Sequence, residues 1–157
     1  MNKEKRIICL IDTSAYLSML KVPGFEEKQN EVHEKLTAFS NFELILPFAT
    51  ILETARHISQ LPNGYDRRTC AQYFVEDVRN ALNNKKPYFT PEFPKNDGTF
   101  QKCLDDYKKL VVWKYSLADV TILNEKEIFE QRLRLSHKVV ILTLDGHLTN
   151  YNPQETP

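Results

Sequence analysis

The sequence predicts an α/β protein, a three-layer α/β/α sandwich whose central sheet is mainly parallel. Ile7 to Ile11, Phe42 to Leu46 and Lys138 to Thr143 are short runs dense in aliphatic residues, the pattern of strands covered on both faces. The segments between them place apolar residues at helical spacing among charges, and strands alternating with helices build parallel sheets. At 157 residues the chain is long enough for a core of its own. Residues 1–148 are expected to form one domain, followed by a frayed tail over 149–157.

Ile7 to Ile11 is the first strand, and it stops abruptly at Asp12-Thr13-Ser14. A short amphipathic turn follows (Ala15, Tyr16, Leu17, Met19, Leu20) and breaks at Pro23-Gly24. Glu26 to Ser40 reads as a helix with Val32, Leu36 and Phe39 on one face, closed by Asn41. Phe42 to Leu46 is the second strand. Pro47 ends it and suits the start of a helix over Phe48 to Ile58, where a missing N–H loses nothing. Pro62-Asn63-Gly64 terminates that helix, and Arg67 to Leu82 forms another, with Ala71, Phe74, Val75, Val78 and Leu82 on its apolar face. Pro87, Pro91, Pro94 and Asn96-Asp97-Gly98 argue against regular structure between Asn83 and Gly98. A loop of that length is ordered surface or, as its functional reading, a flap over a site. Thr99 to Leu110 is helical, and Leu110 to Trp113 is either its buried end or a short strand. Ser116 opens a strong helix to about Leu135, and Lys138 to Thr143 is the last strand, leaving through Leu144-Asp145-Gly146.

Lys+Arg and Asp+Glu both number 21, so the formal net charge is zero. That argues against retention on nucleic acid by bulk charge, although a local basic patch would not show in the total. Cys9, Cys70 and Cys103 are odd in number with no CxxC pair, which fits neither a disulfide framework nor a zinc knuckle. They read as reduced cysteines of a cytoplasmic protein. The apolar run behind the charged N-terminus falls short of the roughly 7–15 residues of a signal-peptide core and the ~20 of a membrane span.

Four acids stand where chemistry would be expected. Asp12 and Asp145 both follow apolar strands, and parallel sheets bind ligands at the carboxyl ends of their strands. Asp119 lies in the first turn of an apolar helix, and Glu53 is flanked by Ile51, Leu52, Ala55 and Ile58. Each has an ordinary structural reading as well. Asp12 could cap the following turn. Thr50-Ile51-Leu52-Glu53 and Ser116-Leu117-Ala118-Asp119 have the form of capping boxes. Asp145-Gly146 is common turn chemistry. Together, however, four carboxylates in one pocket would raise each other's pKa, and a divalent cation relieves that repulsion. An all-oxygen site selects Mg²⁺ or Mn²⁺, which suits phosphodiester hydrolysis.

These residues resemble the motifs of PIN-domain nucleases, a family that includes bacterial toxin ribonucleases. Asp12-Thr13-Ser14 after the first strand is similar to the family's opening motif, and Glu53 to its helix-borne glutamate. Ser116 to Asp119 is similar to its Ser-x-x-Asp helix start, and Val140 to Asp145 to its closing strand with Thr-x-Asp. The resemblance spans Ile7 to about Leu148. It implies an Mg²⁺- or Mn²⁺-dependent endoribonuclease with Asp12, Glu53, Asp119 and Asp145 as catalytic acids, and Asp12, Asp119 and Asp145 holding the metal. Thr13, Ser14 and Thr143 could order metal-bound water or a phosphate, Ser14 being equally a cap, and Ser116 would support the site from the start of its helix. The expected partners are RNA, an antitoxin or other protein, and a second copy of the chain, with no membrane involved. Many members carry a further acid shortly after the one matched to Asp119, whereas here Val120, Thr121 and Ile122 follow, with Glu125 the next candidate.

Arg56, His57 and His147 are near enough in sequence to contribute, yet each reads first as a surface residue. The doublets Arg67-Arg68, Lys85-Lys86 and Lys108-Lys109, interleaved with Tyr65, Tyr88 and Tyr107, could track a single strand by charge and stacking, but are left out of the site. The alternative is a catalytically inactive PIN-like module that binds RNA or protein. A phosphoacceptor domain would need a lysine at the far end of a late strand, where Lys138 does not lie, and no Gly-x-Ser-x-Gly elbow supports a serine hydrolase.

Overall fold

The computed structural model describes residues 5–38, 41–85, 87–91, 98–133 and 135–149. Four strands, β1 (Arg6–Ile11), β2 (Phe42–Ile45), β3 (Tyr88–Phe89) and β4 (His137–Leu142), form one all-parallel sheet in the order β3-β2-β1-β4. Among the described residues seven α-helices accompany them: α1 (Thr13–Met19), α2 (Gln29–Thr37), α3 (Phe48–Ser59), α4 (Gly64–Leu82), α5 (Thr99–Leu110), α6 (Leu117–Leu133) and α7 (Gly146–Thr149). The sandwich expected from the apolar runs is therefore the architecture found.

Side chains alternate across the sheet with a period of two. Cys9, Ile11, Leu44, Leu46, Val140 and Leu142 point into a core shared with Tyr16, Val32, Ile58, Phe74 and Val78. Ile8, Leu10, Ile45, Val139 and Ile141 point the other way, onto Ile122 of α6 and Leu148 of α7. β1 is buried on both faces because it lies between β2 and β4, with Ile7 opposite Phe42 and Ile11 opposite Leu142. Burial pushes the Cys9 thiol up to about 12, which removes it from any nucleophilic role, and all three cysteines are free thiols.

Several elements differ from their sequence reading. The stretch expected as one helix from Glu26 begins as a 3-10 turn, Glu26–Lys28, and continues as α2; Phe39 and Ser40 lie outside the described residues. α4 starts three residues earlier than expected, because Asn63 accepts hydrogen bonds from the amides of Tyr65 and Asp66 and so opens the helix it was read as preceding. Its buried side is Phe74, Val78 and Ala81, while Val75 and Leu82 are exposed. Tyr88–Phe89 forms a strand despite the nearby prolines. Only a two-residue match is needed, Leu44 to Tyr88 and Ile45 to Phe89, and the amide of Leu46 donates to the carbonyl of Phe89 at 2.8 Å. The expectations for residues 92–97 and 150–157 fall outside the described residues. Val111–Trp113 is neither buried nor a strand but an exposed 3-10 turn.

α5 and α6 pack as a hairpin locked by polar contacts. Lys102 Nζ donates to Asp106 (3.0 Å) and to Asn124 Oδ1 (2.7 Å), and Asn124 also donates to the Val120 carbonyl. On the opposite side of the sheet Tyr16 donates to Asp77 at 2.6 Å, joining α1 to α4, and stacks edge-on against Tyr88.

Leu10, fully buried on the central strand, tests this packing. Leu10→Ala should lower the unfolding free energy by roughly 2–5 kcal/mol in urea titration monitored by circular dichroism.

Candidate active site

The carboxyl edge of β1 and β4 is stitched by hydroxyls. Pairing continues one step past β1, with the Asp12 amide donating to the Leu142 carbonyl at 2.9 Å. The Asp12 carboxylate then accepts from the hydroxyls of Thr143 (2.8 Å) and Ser14 (3.1 Å). Those two hydroxyl oxygens stand 3.3 Å apart and each has one proton, so both can point at Asp12 together. As acceptors the same oxygens take the next amides along the chain: Leu144 N–H donates to Ser14 and Asp145 N–H to Thr143, both at 2.9 Å.

Asp12 occupies the N-cap position of α1 but makes no side-chain capping bond, so its reading as a simple cap does not hold. It is 4% exposed. Burial pushes its carboxyl above the usual carboxylate range, against hydrogen bonds from Thr143, Thr13 N–H and Ser14 that favour the charged form. The charge of Asp119 pushes in the same direction as burial, which places Asp12 and Asp119 within electrostatic reach of each other.

Asp119 is held by a reciprocal pair of bonds. Ser116 N–H donates to Asp119 Oδ2 at 2.8 Å, and Asp119 N–H donates to Ser116 Oγ at 3.0 Å. The capping box is real here, and it fixes the Asp119 carboxylate. The box read at Thr50 and Glu53 is not. α3 starts at Phe48 after Pro47, so Thr50 already lies inside the helix, where its hydroxyl donates to the Ile11 carbonyl at 2.7 Å. Glu53 lies one turn further along and accepts from Thr13 Oγ1 at 2.9 Å. Two residues of α3 thus clasp the end of β1.

Asp145 joins this edge through its backbone, two residues beyond Thr143. Lys35 of α2, which the sequence did not single out, donates to the Thr143 carbonyl at 3.0 Å and pairs with Glu31 at 3.7 Å. No local signal marks it, because an i,i+4 Glu–Lys pair is common on any exposed helix. Among the described residues, no three His, Cys, Asp or Glu side chains form a group that could hold a metal ion. The expected metal trio of Asp12, Asp119 and Asp145 is therefore not assembled as a ready cage; the best-ordered feature is the Asp12 carboxylate within its shell of hydroxyls.

Glu125, one and a half turns after Asp119, is only part-exposed, and desolvation raises its carboxyl to about 7. His57 is exposed and meets Phe25 edge-on, Arg56 is exposed, and the side chain of His147 lies outside the described residues.

No protein-family profile matches the sequence, and no curated protein matches it. Among solved structures the chain is similar to the crystal structure of Mycobacterium tuberculosis VapC20, a sarcin-ricin loop cleaving toxin. The superposition has a TM-score of 0.60 and covers 94% of this chain and 98% of that one. The fold is PIN-like. At 11% sequence identity the likeness is one of backbone architecture, and the PIN-like domain here departs from it freely in side chains.

Because the folded state holds Asp12 above its ordinary pKa, its ionised form destabilises the fold, and stability falls as pH rises through the Asp12 range. Asp12→Asn should therefore melt higher than the wild type at pH 7–8 in chelator, in differential scanning calorimetry. The gap should close as the pH is lowered below the ordinary aspartate pKa of about 4.

Proposed function

We propose that this PIN-like domain is a metal-dependent endoribonuclease, with Asp12, Glu53, Asp119 and Asp145 as its acids. The observation that carries the reading is the buried Asp12 carboxylate, held by the Ser14 and Thr143 hydroxyls at the carboxyl edge of a parallel sheet. A carboxylate so buried destabilises the fold unless a cation offsets its charge, and such groups cluster at working sites. The donor set fits Mg²⁺ or Mn²⁺: the oxygens are hard, and Mg²⁺ commonly takes only one or two protein carboxylates, filling its shell with water and substrate phosphate. Asp12 and Asp119 would hold the ion directly, with Asp145 and Glu53 contributing through ordered water. A bound ion of this kind lowers the pKa of water and offsets charge on the phosphate in phosphodiester hydrolysis.

The chain's own residues keep this arrangement in register. Ser14 and Thr143 aim Asp12, Ser116 sets Asp119, and Thr13 orients Glu53. Lys35 supplies positive charge beside Thr143, where a phosphate oxygen could be received. Since VapC20 is a sarcin-ricin loop cleaving toxin, an RNA carrying that loop is the first substrate to try. A protein antitoxin, a second copy of the chain and a cytoplasmic setting belong to the same proposal.

A second reading is a non-catalytic binding module. Val120 and Ile122 are fully buried where many PIN-domain nucleases would place a further acid, and among the described residues no three-acid group stands ready. Two measurements separate the readings. Mn²⁺ at ~100 times its Kd should stabilise the wild type by about 2.7 kcal/mol. That corresponds to a melting shift of roughly 5–10 °C, absent in Asp12→Asn. RNA should be cut with Mg²⁺ or Mn²⁺, not in chelator, and not by Asp119→Asn, while Thr143→Val should lose roughly 10–100-fold through misdirected Asp12. Cleavage that continues in chelator or in Asp119→Asn rules out the metal mechanism. Binding of Mn²⁺ and RNA without cleavage selects the module.

A further inference from the structure

The 3-10 turn Val111–Trp113 is out of place for a packed domain. Val112 is 74% exposed and Trp113 69%, and large apolar side chains left this far in water mark contact surfaces when they cluster. The turn also lies in a locally basic stretch of a chain whose net charge is zero. Residues 108–114 carry Lys108, Lys109 and Lys114 and no acid. Lys108 pairs with Asp105 at 3.3 Å and the charge of Lys109 acts on Asp106, while Lys114 directly follows the tryptophan.

Its position ties it to the candidate site. Lys114 ends the turn in the left-handed region, at φ 65°, and redirects the chain into Ser116, the residue that holds Asp119. A chain advances at most ~3.6 Å per residue, so Trp113 lies within roughly 11 Å of Ser116 along the backbone. An extended strand with a phosphate at Asp119 would have a neighbouring base in reach of the indole. Non-specific single-strand binding combines a positive track with aromatic faces on which bases stack.

We infer that Trp113, with exposed Val112 before it and Lys109 and Lys114 near it in the chain, is a stacking platform for a base of single-stranded RNA adjoining the bond to be cut. This rests on the ribonuclease reading and deepens it by naming the substrate as unpaired at that position. The charge decides against a protein occupant: an apolar protein interface gains nothing from lysines around its centre, whereas a phosphate backbone does.

Trp113 is the only tryptophan, so its emission reports this turn alone. The test uses the full chain carrying Asp119→Asn, so that RNA survives, titrated with an eight-nucleotide oligouridylate and with a duplex of equal length. The single strand should quench the emission saturably, the duplex should not, and added salt should weaken the effect. In fluorescence anisotropy with labelled strand, Trp113→Ala should raise Kd roughly 5- to 150-fold, the range for losing one base stack, and Trp113→Phe should recover most of it. Binding seen by anisotropy with unchanged emission overturns the platform and leaves the nuclease reading intact, as does an unchanged KM for Trp113→Ala in the otherwise wild-type chain. Quenching that follows protein concentration rather than RNA overturns it in favour of self-association. Quenching by RNA in a chain that cuts nothing with Mn²⁺ keeps Trp113 as a base-stacking residue but removes the nuclease, and with it the place beside a bond to be cut.

Discussion

The organising constraint of this molecule is a carboxylate buried at the end of its central strand. Asp12 is placed there by the strand that supplies both cores, and it is tolerable only because Thr143, Ser14 and the Thr13 amide direct donors at it. Those donors come from two strand ends that are far apart in sequence, so holding the acid and closing the sheet are one arrangement. The hydroxyl lattice then passes outward, orienting Leu144 and Asp145 by their amides, while α3 reaches over with Thr50 and Glu53. The edge is built as a layered set of hydrogen bonds in which no acid is positioned by its own backbone alone.

Much of the fold was legible because it rests on periodicity. Ile7 to Ile11 and Val139 to Leu142 alternate between two cores and contain nothing polar, and that pattern has few other solutions. What escaped depended on contacts that leave no local trace. Tyr88–Phe89 is a strand because β2 has a free edge beside it, not because two residues among prolines prefer extension. Asn63 was read as punctuation after one helix, and its side chain shows it to be the start of the next. The 3-10 turn at Val111 has a composition suited to burial, and its exposure follows from its place between a helix pair already locked by Lys102 and Asn124.

The candidate site divides in the same way. Asp12, Ser14 and Thr143 could be named from sequence since each follows directly from where an apolar strand stops. The two capping-box readings show how far local pattern reaches. At Ser116 the box is the one the pattern promised, and the cap fixes the carboxylate of a candidate site acid. At Thr50 the pattern misled, because Pro47 had already started the helix and freed the threonine to bond across to β1. Lys35 was invisible for the opposite reason: its sequence context is ordinary, and only the folded chain brings it beside Thr143.

The parallel register between β1 and β4 aligns Ile11 with Leu142, and therefore Asp12 with Thr143. Sliding either strand by one residue would turn its aliphatic side chains to the wrong layer and carry the threonine hydroxyl away from the acid in the same movement. The interior thus acts as a proofreader for the edge: a mispaired copy is betrayed by greasy side chains in water before it could ever present a misaligned cluster of acids. A cell holding such a protein would meet it either complete or as a target for its proteases, with little in between.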